Sequence, residues 1–193
     1  MPVPTFAIKL IVGLGNPGKE YDNTRHNLGF YVLDCYVQKK SGAWAKNEKC
    51  NGLVAEVKIN GKKVFCLKPQ TFMNLSGESV QKFCSYHKIN TNEIMVVCDD
   101  ISIPFGNFKV STIPGTAGHN GIKNITKMIG NGFVRYRIGL GSNPSLMPLD
   151  HFVLSRFSEE EQKQLPKIAS VFENNIEVLI DKGVIKGLNF IER

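Results

Sequence analysis

Ala7-Ile8-Lys9-Leu10-Ile11-Val12-Gly13-Leu14-Gly15-Asn16-Pro17-Gly18 is the stretch on which the fold turns. Its first seven residues are an almost unbroken apolar run, the pattern of a strand buried on both faces of a sheet. The glycines that follow match G-x-G-x-x-G, the fingerprint of a dinucleotide site. That fingerprint works only when a helix opens inside it, so that its first amides meet the pyrophosphate. Here Asn16-Pro17-Gly18 and Glu20-Tyr21-Asp22-Asn23 read as turn, and helical spacing starts only near Thr24. No second strand ends in an acidic residue about 20 positions on, and Asp34 falls within the helix. The stretch predicts a buried strand and a loop, without a nicotinamide cofactor.

Outward from it, strands and helices interleave. Residues 24–40 have helical spacing, with Leu28, Val32, Cys35 and Tyr36 on one face. Residues 53–59 and 63–67 flank Asn60-Gly61, a strong signal for a two-residue hairpin. A helix is expected from about 74 to 87, a strand over 93–98 ending on Asp99-Asp100, and a short strand around 107–110. A helix over 119–129 and a strand over 134–140 follow. Phe152-Val153-Leu154 reads as strand-like. Ser158-Glu159-Glu160-Glu161 is a capping box opening the last long helix, in which Pro166 must produce a kink or begin a second helix. The alternation predicts an α/β domain, its sheet made mixed by the hairpin. Residues 143–149 are a candidate flexible rim.

Composition narrows the function classes. The 193 residues suit one medium domain. With 24 Lys and Arg against 17 Asp and Glu, the net charge is +7, a field that draws polyanions. A basic soluble protein without a nucleic-acid role remains the bland alternative. The five cysteines are odd in number and never in a C-x-x-C pair, which argues against a disulfide framework and a thiolate metal site. The N-terminus has neither signal-peptide nor transit-peptide character, and no apolar run is long enough to cross a membrane. A cytoplasmic location is the expectation.

None of the four histidines stands in a metal-binding spacing, and no Ser or Cys lies in a nucleophile signature. A hydrolase built this way would activate water directly. His26 falls where the first loop becomes the first helix, at the edge of the sheet where open α/β folds bind ligands. Asp99 would reach the same edge if the strands run parallel. It could then hold one ring nitrogen of His26 protonated and leave the other as a base. A capping or surface histidine is the competing account. Gly115, Gly118 and Gly121 bracket a helix start suited to an anion. His119, Lys123 and Lys127 form an i, i+4 stripe on that helix, and Lys109, Arg135 and Arg137 lie on flanking strands. A phosphate site or a solvated basic face would both look this way. Asn16, Asn74 and Asn120 sit in loops or helix starts, able to bind peptide or ribose or simply to cap turns. Phe72-Met73 offers an apolar floor for a side chain, or core packing. His87 and His151 read as structural.

These pieces occur in an order that resembles bacterial-type peptidyl-tRNA hydrolase. The resemblance rests on Val12 to Gly18, Tyr21 with Thr24-Arg25-His26-Asn27, and Thr71-Phe72-Met73-Asn74-Leu75-Ser76-Gly77. It continues through Asp99-Asp100 with Pro104, Gly118-His119-Asn120-Gly121, Arg137-Ile138-Gly139 and Phe152-Val153-Leu154. It implies one monomeric domain over residues 1–193, with a twisted mixed, mostly parallel sheet sandwiched between helices. It implies hydrolysis of the ester joining a peptide to the 3′ end of tRNA, without cofactor or metal. By the resemblance His26 is the catalytic base, Asp99 its partner, and Asn16, Asn74 and Asn120 hold the peptide end and position water. Tyr21 and Met73 are lining positions, and His119 belongs to the acceptor-end site. Lys109 and Arg137, with Lys123 beside them, would grip tRNA phosphate. Two departures stand out: Ala117 where the family usually has Gly, and Ser111 where some members carry a basic residue. A non-catalytic RNA-binding relative of the same fold is the alternative from another class.

Overall fold

The computed structural model describes residues 7–143 and 147–191. A seven-stranded sheet is formed by β1 (Leu10–Gly13), β2 (Ala45–Asn47), β3 (Gly52–Ile59), β4 (Lys62–Pro69), β5 (Ile94–Asp100), β6 (Phe108–Ser111) and β7 (Val134–Gly139), in the order β2-β3-β4-β1-β5-β7-β6. β4, β1, β5 and β7 pair in parallel, while β2–β3, β3–β4 and β6–β7 are antiparallel. All strands except β3 and β6 therefore point one way, the mixed and mostly parallel sheet that the sequence predicts. β1 lies between β4 and β5 with all four residues buried, which accounts for its unbroken apolar run.

Side-chain alternation divides the core in two. Ile11, Met95, Val97, Tyr136 and Ile138 pack with α1 (Leu28–Lys39) and the long C-terminal helix. Leu10, Val12, Leu67, Val96 and Cys98 pack with α2 (Ser76–His87) and α3 (Asn120–Ile129). Two further helices, α4 (Leu149–Leu154) and α5 (Glu159–Lys182), precede a short α6 (Val184–Gly187). At the hairpin, Asn60 (φ 48°) and Gly61 (φ 78°) both take the left-handed conformation that a type I′ turn demands.

The glycine-rich loop answers the dinucleotide question directly. A Cβ on Gly13 would stand 2.6 Å from the Gly29 carbonyl oxygen, and one on Gly29 2.5 Å from that of Val97. These glycines let α1 lie directly on β1 and β5, and α1 opens only at Leu28, well past the motif. They serve backbone packing between strand and helix.

Several boundaries and elements differ from the sequence reading. The first strand begins at Leu10 rather than residue 7, although the Lys9 N–H still donates to the Glu93 carbonyl at 2.8 Å. A 3₁₀ turn at Arg25–Asn27 precedes α1, and another at Met73–Leu75 precedes α2. Phe152-Val153-Leu154 lies in the helix α4, not a strand: its Phe152 faces the core while Leu154 is exposed. β2 and α6 are too short to carry a period and were not expected. The Ser158 cap forms as predicted, with Ser158 N–H donating to Glu161 Oε2 at 2.7 Å. Pro166 begins no second helix, because α5 runs through it, held by Leu165, Ile168 and Phe172 in the core. Of the expected rim, residues 144–146 lie outside those described.

Candidate active site

The carboxyl ends of β1, β4 and β5 share one sheet edge, and their loops converge there. The loop after β1 leads into the Arg25–Asn27 turn and places His26; β5 ends on Asp99. His26 Nδ1 lies 2.9 Å from Asp99 Oδ1 and 3.1 Å from Oδ2. Facing a carboxylate, Nδ1 carries the ring proton, which leaves the lone pair on Nε2. Both side chains are buried, Asp99 at 4% exposure. Burial opposes the charged imidazole, yet the adjacent Asp99 carboxylate outweighs it and raises the His26 pKa above the ordinary 6.5. Burial likewise opposes ionisation of Asp99, but the His26 and His119 rings outweigh it and hold the carboxyl well below its usual range.

His119 departs from the expected stripe. It is the N-cap of α3 and is buried, whereas Lys123 and Lys127 point to solvent. The physical reason is its extended backbone (φ −69°, ψ 118°), which turns the ring back over the helix start. Nε2 then lies 3.1 Å from Asp99 Oδ1, and Nδ1 accepts the N–H of Gly121 at 3.1 Å. The His26 and His119 rings stand 4.8 Å apart.

A cavity of about 350 Å³ opens beside this cluster, lined by His26, Asp99, Ala117, Gly118, His119 and Asn120, and by Leu149, Asp150 and Val153 of α4. A second group stands next to it. Asn16 Oδ1 accepts the Met73 N–H at 2.8 Å, and Asn27 brackets Asn16 through Oδ1 to its N–H (2.8 Å) and Nδ2 to its carbonyl (2.9 Å). Met73 is buried, and a Cβ on Gly121 would meet its Sδ at 2.7 Å and His119 Cε1 at 3.2 Å. Phe72 is the exposed half of the Phe72-Met73 pair, its ring edge-on to Tyr21 at 6.2 Å. Asn74 and Asn120 are exposed.

The basic residues separate by burial. Lys109 and Lys123 are exposed, and Lys109 stands opposite Arg137 in the β6–β7 register. Arg137 donates to Asp100 Oδ2 at 2.9 Å. Arg135, grouped with them from sequence, is 1% exposed, donates to the Phe133 carbonyl at 3.1 Å and lies over the Phe133 ring. It is part of the core and unavailable to phosphate.

Some contributors had no role assigned from sequence. Arg25 makes a two-pronged pair with Glu161 (2.7 and 2.8 Å), donates to Ser155 Oγ at 3.2 Å, and lies over Phe152 and Phe157. It ties the His26 turn to α4 and α5, a link across 136 positions that local pattern cannot carry. Asn27, Asp100 and Val153 sat inside quoted motifs, and that adjacency was the only signal available.

His26, Asp99 and His119 also offer ligand-type atoms within 4.8 Å of one another. The hydrogen bonds use those atoms otherwise. His119 Nδ1 accepts from the amides of Gly121 and Ile122, so Nε2 bears the proton and has no lone pair for a cation.

The model of the peptidyl-tRNA hydrolase family matches residues 10–193. The chain belongs to that family. It is 42% identical over 185 residues to the peptidyl-tRNA hydrolase of Geotalea uraniireducens, covering 95% of this chain and 96% of the relative. With that of Fervidobacterium nodosum it is 40% identical over 180 residues, covering 93% of each. The crystal structure of peptidyl-tRNA hydrolase from Acinetobacter baumannii superposes with a TM-score of 0.91 at 33% identity, over 98% of this chain and 96% of that one. The two departures from the peptidyl-tRNA hydrolase pattern have local consequences. Ala117 sits at φ 45°, a left-handed conformation that favours glycine. Ser111 Oγ accepts the Ile113 N–H at 3.0 Å, closing a local turn.

Proposed function

We propose that the protein hydrolyses the ester between a peptide, or an N-blocked amino acid, and the 3′-terminal ribose of tRNA, with His26 as general base and Asp99 as its orienting partner. The observation that carries this reading is the 2.9 Å contact of His26 Nδ1 with a buried carboxylate beside an open cavity. His26 Nε2 takes a proton from water as the water oxygen bonds to the ester carbonyl carbon. The tetrahedral oxyanion collapses, the bond to the ribose oxygen breaks, and that oxygen takes the proton back from the imidazolium. Base assistance of this kind is worth roughly 10²–10⁴ in rate, the remainder coming from positioning and from donors to the oxyanion. Asn120, exposed and lining the cavity, and Asn74, exposed in the turn before α2, are the candidate amide donors.

In this reading Asn16, Tyr21, Phe72 and Met73 hold the peptide end, and Lys109, Lys123 and Arg137 receive phosphates of the acceptor stem. Residues 1–193 act as one domain and as a monomer, in the cytoplasm. No helix among the described residues is long and apolar enough to cross a membrane. The test is release of an N-acetylated amino acid from tRNA by the purified protein, with and without chelator. No release would end the hydrolase reading, and loss of release on chelation would end its metal-free form.

A further inference from the structure

The mechanism above uses one of the two imidazoles on Asp99 and leaves the other without work. His119 is as buried as His26, and its two ring nitrogens have opposite neighbours. Nδ1 accepts the N–H groups of Gly121 (3.1 Å) and Ile122 (3.4 Å), two of the donors that an α-helix leaves unpaired in its first turn. An acceptor nitrogen carries no proton, so the ring proton sits on Nε2, which faces Asp99 Oδ1 at 3.1 Å. The same oxygen takes the His26 Nδ1–H at 2.9 Å. Asp99 thus receives an N–H from each side, in a site where an unpaired carboxylate would be strongly disfavoured.

We propose that His119 is a positioning residue: the first turn of α3 sets its tautomer, and the Nε2–H this leaves holds Asp99 charged and aimed at His26. This rests on the reading of His26 as the base. With both nitrogens engaged by protein, His119 has no hydrogen bond left for substrate, although its ring edge lines the cavity. Its neighbours Gly118 and Asn120 line the same cavity, so the loop that meets the ligand also carries the group that fixes the carboxylate. The charged and titratable groups around Asp99 are His26 from the turn before α1, His119 from the start of α3, and Asp150 of α4, which lines the same cavity. Cys98 and Asp100 precede and follow it on β5, and Asp100 is paired with Arg137 of β7.

His119→Asn separates the two jobs of this residue. Asparagine is a good N-cap, but its carboxamide ends near where Nδ1 lies and cannot reach Asp99. With the second donor gone, Asp99 gives more of its charge to His26. We expect kcat to fall about 10–100-fold with KM within about twofold, and the acid limb of kcat/KM to move to higher pH. A raised KM with kcat intact would make His119 a substrate contact, and a lowered melting temperature with unchanged kinetics would make it a cap only; either overturns the proposal. In the unmodified protein, long-range ¹H–¹⁵N imidazole spectra should place the His119 proton on Nε2 and the His26 proton on Nδ1. A His119 proton on Nδ1 also overturns it, whatever the kinetics show. Full turnover by His26→Ala would instead bring down the base assignment, and the His119 tautomer would stand apart from that result.

Discussion

The buried cluster beside the cavity and the exposed lysines proposed to meet phosphate are built on opposite principles. His26, Asp99 and His119 are buried, come from three separate elements, and orient one another through the Asp99 carboxylate. Lys109 and Lys123 are exposed on β6 and α3, where solvent screens them and their long side chains remain adjustable. A reacting ester needs one geometry and one proton location. A polyanion needs only charge spread along its path. Arg137 stands between the two regimes, half-buried and tied to Asp100, which is itself almost fully enclosed.

The comparison breaks first at the proposed base. His26→Ala should lower hydrolysis toward the upper end of roughly 10²–10⁴ while tRNA affinity stays within about twofold, measured by turnover and by equilibrium binding on one preparation. A parallel loss of binding would mean the buried cluster also captures the substrate. Asp99→Asn comes next, at roughly 10²–10³, because a neutral carboxamide lacks the charge that stabilises the imidazolium formed on His26. The depressed Asp99 pKa implies stability that is present above the ordinary value of 3.8 and lost as pH falls toward the folded-state value. Acid unfolding of Asp99→Asn should lack that component. For His26 the sign is reversed. Its raised pKa places the acid limb of kcat/KM above pH 6.5, since the base works only when neutral; a limb below 6.5 would remove Asp99 as the cause.

Among the basic residues the effects are smaller and divide between binding and folding. Lys123→Ala should lessen the slope of log K against log salt by about 1 and leave the melting temperature unchanged. Arg137→Ala should do the same and also destabilise the fold, because Asp100 loses its cation. Equal thermal behaviour of the two variants would erase the distinction between exposed and half-buried charge. Smallest of all, Ala117→Gly should stabilise by about 0.5–1 kcal/mol, relieving a left-handed alanine at φ 45°. No gain on thermal unfolding would mean the loop tolerates that conformation freely.

Local pattern carried far in the fold and less far in the site. The run ending at Gly13, the Asn60-Gly61 turn and the Ser158 cap each have a mechanism that acts over a few residues, and each formed as read. Phe152-Val153-Leu154 was misjudged because core packing of Phe152 within α4 overrides local preference, and of the two outcomes open to Pro166 a second helix is excluded because α5 runs through it. Arg135 and Arg137 are two positions apart on one strand and share a face, so alternation could not tell them apart. What separates them is position along β7: Arg135 meets Phe133 and Asn131, while Arg137 meets Asp100 near the open edge.

The amino-acid order by itself determined the alternating elements, the Asn60-Gly61 turn, and the chemical types available at the sheet edge. Periodicity and turn chemistry act between neighbours, so a chain read alone discloses them. Only the tertiary structure decided that Asp99 receives two imidazoles, that His119 faces inward, and that Arg25 binds the His26 turn to Glu161. Those contacts join residues 73, 20 and 136 positions apart, and the proton each donor carries is settled by the partner that the fold brings to it.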